Sequence, residues 1–189
     1  MIYMTDIKKA YEIMGDKNEK LYKPILEKKY GILYKTLDKY ARNDFLGETF
    51  AGELKSRDGS IKDFKETMIG YNKIQDGFKK LEWYKDHMPN YKYYCWFAFK
   101  EGLYAWELNK VNYDKNGGDI MKKFSGTNKR GFDEYKDHYY IKTEFLEKID
   151  DTPPYIHPLV VENTLKYKKY KPITRGVCFL KLSKEDLEN

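Results

Sequence analysis

The feature that most constrains this chain is the run YYCWFAF at residues 93–99, set between Lys92 and Lys100. Almost every side chain in it is apolar or aromatic, and the alternation expected of a half-wet strand is missing. A strand covered on both faces reads this way. Lys100-Glu101-Gly102 then makes a turn, and residues 103–108 (LYAWEL) read as the partner strand. Such a pair needs cover on both sides of a sheet, and 189 residues are enough to supply it within one domain.

Helical periodicity supplies the cover. Thr5 or Asp6 can cap a helix running to about residue 14, with Gly15 ending it. A second helix is expected from about Asn18 to about Tyr40, with Pro24 in its first turns and a weak point at Gly31. Leu21, Ile25, Leu26, Tyr30, Leu33 and Leu37 recur at helical spacing along it. Residues 43–48 and 50–56 read as two short strands around residues 47–49, and SRDGS as a loop. A further helix is expected over residues 70–86, with Tyr71, Ile74, Phe78 and Leu81 on one side. Residues 114–130 are polar and contain glycine, which reads as a long loop of the kind that often carries function. Residues 138–141 and 176–182 read as strands and residues 158–166 as a helix, after Pro153-Pro154. The order predicts an α/β sandwich around a mixed sheet, with no internal repeat.

Charge and composition narrow the chemistry less. Lys plus Arg number 36 against 30 Asp plus Glu, a net charge of +6 that suits a nucleic-acid partner and equally a solvated lysine-rich surface. Cys95 and Cys178 form no C-x-x-C pair, which disfavours a cysteine zinc site, and Cys95 is expected as a buried thiol. His87, His138 and His157 lack H-E-x-x-H spacing, so a zinc hydrolase is disfavoured too. Trp83, Trp96 and Trp106 are assigned to the core. No leader peptide and no apolar run of about 18 residues is visible, so the expected setting is intracellular, with no membrane partner.

The segment with chemical content is NDFLGETFAGELKSR, residues 43–57. Alternate side chains of a strand share a face, so Glu53 and Lys55 project together while Leu54 points into the core. A tight hairpin would bring Asp44 beside them. Two carboxylates on adjoining strands make a hard oxygen site suited to Mg²⁺. Phosphodiester hydrolysis uses such an ion to stabilise phosphate charge and generate hydroxide. A neighbouring lysine can orient or deprotonate the water. On spacing alone E-x-K is also what a solvated strand face looks like.

With these residues in place, residues 19–108 resemble the PD-(D/E)XK nuclease superfamily: a helix, a strand with Asp, a strand with Glu-x-Lys, a helix and further strands. Glu53-Leu54-Lys55 matches the E-x-K element, and Asn43-Asp44 stands where the family has Pro-Asp, so the proline is missing. ELKSR, TMIGYNKI and YYCWFAFKEGLYAWEL look like a phage- or giant-virus-type branch, and the likeness fades after about residue 151. It implies a restriction-endonuclease-like three-layer sandwich, with a nuclease core over residues 1–150 and a C-terminal extension, residues 151–189, packed on the same domain. It also implies a catalytic set of Asp44, Glu53 and Lys55, with Asp44, Glu53 and the Leu54 carbonyl holding Mg²⁺, or Mn²⁺ as a substitute. The family often places a glutamate in the first helix near the metal, which points to Glu19, with Glu27 a weaker choice; a first-turn Glu favoured by the helix dipole is the alternative. Arg57 and Lys73 are candidates for DNA phosphates, with secondary contacts from Thr67, Asn72 and Gln75. Lys129-Arg130 and KYKKYK at residues 166–171 could track a phosphate backbone or be solvated faces.

The expected function is that of a Mg²⁺-dependent deoxyribonuclease, restriction-, repair- or recombination-type, in a bacterial or virus-infected cell, with a homodimer left open. The alternatives are a non-catalytic nucleic-acid-binding protein on the same scaffold and an interaction protein whose E-x-K is accidental.

Overall fold

The computed structural model describes residues 4–35, 43–127 and 133–170. The strand expected at residues 176–182 and the cations Lys129 and Arg130 lie outside them.

A six-stranded mixed sheet forms the middle of the molecule, in the order β1 (Leu33–Lys35), β2 (Phe45–Gly47), β3 (Phe50–Ser56), β5 (Lys92–Phe99), β6 (Gly102–Leu108) and β9 (Glu147–Asp150). The strands β1, β2 and β3 form an antiparallel meander, β5 is parallel to β3, and β5 and β6 form a hairpin. Two parallel neighbours need a crossover. Here it consists of β4 (Glu66–Gly70) and α2 (Tyr71–Tyr84). The β5–β6 turn uses Gly102 at φ 126°, a backbone region that L side chains rarely adopt. Residues 93–99 are all buried, as the central-strand reading expects.

Alternation along these strands sorts the core into two halves. Phe50, Leu54, Tyr94, Trp96, Ala98, Leu103 and Ala105 pack with Tyr22 and Leu26 of α1 (Met4–Tyr30). Ala51, Tyr93, Cys95, Phe97, Phe99, Tyr104, Trp106 and Leu108 pack on the other side. There they meet Ile74 of α2, together with Ile69 of β4 and Tyr139 and Ile141 of β8 (Asp133–Lys142). β4 and β8 belong to a second, three-stranded sheet, in the order β4-β8-β7 with β7 at Ile120–Thr127. The architecture is α/β, with a mixed sheet covered on both faces. α4 (Pro158–Tyr170) joins through Val160, which clusters with Ala10 and Met14 of α1.

Several expectations are corrected. The two N-terminal helices are one helix of 27 residues. Its buried stripe, Ala10, Met14, Asn18, Tyr22 and Leu26, repeats every fourth residue straight past Gly15. Continuous packing of that stripe outweighs the modest cost of a helical glycine. The helix ends at Tyr30 rather than near residue 40. Gly31 takes φ 105° and donates its N–H to the Glu27 carbonyl at 3.0 Å, a left-handed C-terminal cap. Leu33 therefore belongs to β1 and not to a helical stripe. The loop expected over residues 114–130 is, as far as residue 127, the end of α3 (Lys110–Asn116) followed by β7, with left-handed Gly117 between. β4 and β9 were not expected. Trp83 is not in the core but is 76 % exposed. Among the described residues no helix is long and apolar enough to cross a membrane.

Candidate active site

The β2–β3 hairpin sets the site. Phe45 lies opposite Gly52 and Leu46 opposite Ala51. One further step of that register puts Asp44 opposite Glu53, and opposed residues of an antiparallel pair share a face. Asp44 is fixed there because its Oδ2 accepts the Leu54 N–H at 2.8 Å. Its neighbour Asn43, buried, donates from Nδ2 to the Tyr93 hydroxyl at 2.8 Å and so ties the start of β2 to β5.

Glu53 is 2 % exposed, in the middle of the sheet face that α2 covers. A carboxylate so placed needs partners. Lys55, two residues along the same strand, donates to Oε1 at 2.7 Å. Lys73, from the first turn of α2, brings Nζ to 3.0 Å from Oε2. That second approach is an ionic contact without hydrogen-bond alignment, which leaves Oε2 with an unused lone pair. Lys55 keeps about a third of its side chain exposed, and Asp44 is half-buried, so the group opens to solvent on their side.

These charges act on one another. Burial is the largest influence on Asp44, and the carboxylates of Glu53 and Glu19 act with it against the pull of Lys55 and the Leu54 N–H. The net result pushes the Asp44 carboxyl up to about 6. For Lys55 burial acts downward, but the Glu53 and Asp44 charges and the Glu53 hydrogen bond outweigh it and hold the ammonium above the ordinary lysine range. Lys55 is therefore a fixed cation at neutral pH. It is suited to orienting and stabilising negative charge rather than to removing a proton in this state.

Glu19, on α1, acts on the site through the effect of its charge on Asp44. Beside it Asn18, fully buried, donates from Nδ2 to Ser56 Oγ at 2.8 Å and to the Tyr155 carbonyl at 2.9 Å. It also accepts the Tyr155 N–H at 2.7 Å. These bonds pin α1 to the end of β3 and to the segment before α4. Glu27 is engaged elsewhere, accepting the Leu33 N–H at 3.2 Å and pairing with Lys23 at 3.5 Å.

Arg57 sits just beyond Ser56. Its Nε donates to Thr67 Oγ1 at 3.0 Å, its Nη2 donates to the Met68 carbonyl, and its guanidinium lies 5.7 Å from the Phe97 ring centroid. Burial lowers its pKa to about 10. Thr67 thus serves as the anchor of Arg57. Asn72 and Gln75 lie exposed on α2; His138 lies on β8, whereas His87 follows α2 and His157 precedes α4. Two contributors were invisible beforehand: Asn18, whose burial carried no motif, and Lys73 as a partner of Glu53. The T-x-I-G-x-N-K stretch marked Lys73, but for a phosphate.

Among the described residues no group of three or more His, Cys, Asp and Glu side chains is arranged to hold a metal ion. The available donors are two facing carboxylates, Asp44 and Glu53, with Glu19 within electrostatic reach. The Asp44 carboxyl is raised chiefly by burial, with the Glu53 and Glu19 carboxylates adding to it, and the buried Glu53 Oε2, which accepts no hydrogen bond, is an oxygen that a cation could take. Their oxygens are hard donors of the type Mg²⁺ takes. Without a metal, the positive charge facing Glu53 is that of Lys55 and Lys73. Comparisons with family models, with characterised proteins and with solved structures give no match to this chain.

Proposed function

We propose that this chain is a Mg²⁺-dependent deoxyribonuclease of the PD-(D/E)XK type. The observation that carries the reading is the convergence of Asp44, Glu53 and Lys55 from adjoining strands onto one partly open group. The order of a helix, an antiparallel meander bearing Asp and Glu-x-Lys, a crossover helix and a parallel strand adds support, because the resemblance implies that order.

In this reading Asp44 and Glu53 would hold the metal, with the Leu54 carbonyl as a further donor and Glu19 as an additional acidic group. The metal, when bound, supplies charge stabilisation at the phosphate and a more acidic water. Lys55, held protonated, orients the attacking water and stabilises negative charge as it develops on the phosphate. Lys73, whose ammonium lies 3.0 Å from Glu53 Oε2, would add positive charge beside the group for a phosphate oxygen. Arg57, clamped by Thr67 and Met68, adds a positive wall.

The test is incubation of the purified protein with DNA and Mg²⁺ or Mn²⁺, repeated with Glu53→Ala and Lys55→Ala. Metal-dependent cleavage that disappears in both variants is expected; cleavage that survives both overturns the assignment. A second reading, a non-catalytic nucleic-acid-binding protein, draws on the same site, because both Glu53 oxygens already face lysines. It predicts salt-sensitive DNA binding without turnover in any divalent metal.

A further inference from the structure

The tryptophan that sequence reasoning assigned to the core is one of the most exposed large apolar side chains among the described residues. Trp83 is 76 % exposed near the C-terminal end of α2, whereas Trp96 and Trp106 are 0 % and 2 % exposed. Beside it lies a shallow depression of about 230 Å³ lined by Asp76, Lys79, Lys80, Trp83 and Tyr84. Two ammonium groups and one carboxylate thus border an indole whose ring is open to solvent.

The position of this patch relative to the site is set by helix geometry. Lys73, Asp76, Lys80 and Trp83 follow the spacing i, i+3, i+7, i+10, which places them along one side of α2. Of these, Lys73 touches Glu53, at 3.0 Å from Oε2. Ten residues at 1.5 Å each put Trp83 about 15 Å farther along the same stripe. A polyanion passing Lys73 therefore meets Asp76, whose charge opposes it, then Lys79 and Lys80, whose two charges outnumber that carboxylate, and then the indole. Cations in line with an open aromatic ring suit a strand of nucleic acid whose phosphates are neutralised while a base stacks. In a duplex the bases are stacked on one another, so this arrangement selects an unpaired one.

We propose that Trp83, with Lys79 and Lys80, is a stacking platform for a base of single-stranded DNA leaving the Asp44–Glu53–Lys55 group along α2. The proposal rests on the nucleic-acid reading of that group but not on cleavage.

The test uses the full-length chain in EDTA, so that metal-dependent cleavage is suppressed, and fluorescein-labelled oligothymidylates as the probe, with a duplex of equal length for comparison. Anisotropy reports binding, and tryptophan emission reports stacking. The expected result is binding that quenches the emission, preferring single strands over duplex. Trp83→Phe should remove most of the quench, since the two other indoles are buried. Trp83→Ala should weaken binding roughly 5- to 100-fold, in line with the usual worth of a stacked base. Lys79→Ala/Lys80→Ala should flatten the salt dependence while leaving the quench at saturation.

Four results overturn the platform. Oligothymidylate that binds without altering the emission, or that binds Trp83→Ala as tightly as the parent, removes the stacking role. Emission that is already blue-shifted and protected from acrylamide in the free protein means that the protein's own chain covers the face. Concentration-dependent dimerisation abolished by Trp83→Ala, without an effect on oligonucleotide binding, assigns the face to a second copy. None of these touches the cleavage assay with Glu53→Ala and Lys55→Ala. Absence of any DNA binding or cleavage would instead remove the nucleic-acid reading and the platform with it.

Discussion

The two faces of the central sheet are built from alternate residues of the same strands, yet they are different materials. On the α1 face Phe50, Leu54, Tyr94 and Trp96 pack with Tyr22 and Leu26, and Tyr30 leans on Tyr94 at a ring-centroid distance of 4.6 Å. On the α2 face the same β3 strand presents Ala51, then Glu53 and Lys55, beside Tyr93, Cys95 and Phe97 of β5. Dry aromatic packing contributes stability in proportion to the area removed from water. A buried carboxylate does the reverse unless it is partnered. The contrast separates a half of the core that holds the fold together from a half that tolerates charge, and tolerance of that kind is what a reactive site requires.

Four substitutions test this division, the largest effect first. Glu53→Ala should reduce metal-dependent cleavage by about 10²–10⁴-fold, measured as initial rates on plasmid DNA. Its effect on folding should be milder, because the lysines it leaves behind retain some access to solvent. Trp96→Ala, on the other face, should cost about 3–5 kcal/mol in urea unfolding, since the ring is fully buried. Its cleavage rate per folded molecule should remain near that of the parent, and a collapse of both together would erase the distinction between the faces.

Asp44→Asn should separate stability from function in the opposite sense. The folded-state pKa of about 6 lies above the ordinary 3.8, so the native state binds this proton more tightly than the unfolded chain does. Stability from this group is therefore fullest below about pH 4 and is lost as pH rises towards 6. The asparagine variant should be more stable than the parent at pH 7 by about 1–2 kcal/mol in the absence of metal, a gain of a few degrees in Tm. It should lack cleavage, and its melting temperature should show a flatter dependence between pH 4 and 7. Thr67→Val should have the smallest effect, about 1 kcal/mol, by taking the hydroxyl acceptor from Arg57 Nε while keeping the shape of the side chain. A loss of DNA affinity larger than the loss of stability would show that the orientation of Arg57 matters for binding.

Much of the division was legible in advance. The apolar run at residues 93–99 and the Glu53/Lys55 alternation depend only on the two-residue period of an extended chain, and both stand as read. The β2–β3 and β5–β6 hairpins were also readable, because turn residues and strand composition lie next to each other in sequence. Two of the errors share a cause. Gly15 and residues 114–127 were judged on local propensity, whereas Ala10, Met14, Asn18, Tyr22 and Leu26 are buried by partners far along the chain, and β7 exists because β8 pairs with it.

What the sequence determined by itself is therefore which side chains share a face: that follows from covalent geometry and needs no knowledge of the rest of the molecule. Tertiary structure alone decided what each face meets. It gave Glu53 a second lysine from α2, set Asn18 against Ser56 to bring Glu19 near Asp44, and left Trp83 in solvent while Trp96 was enclosed. The partner of a charge and the cover over a ring are long-range facts, and no local pattern records them.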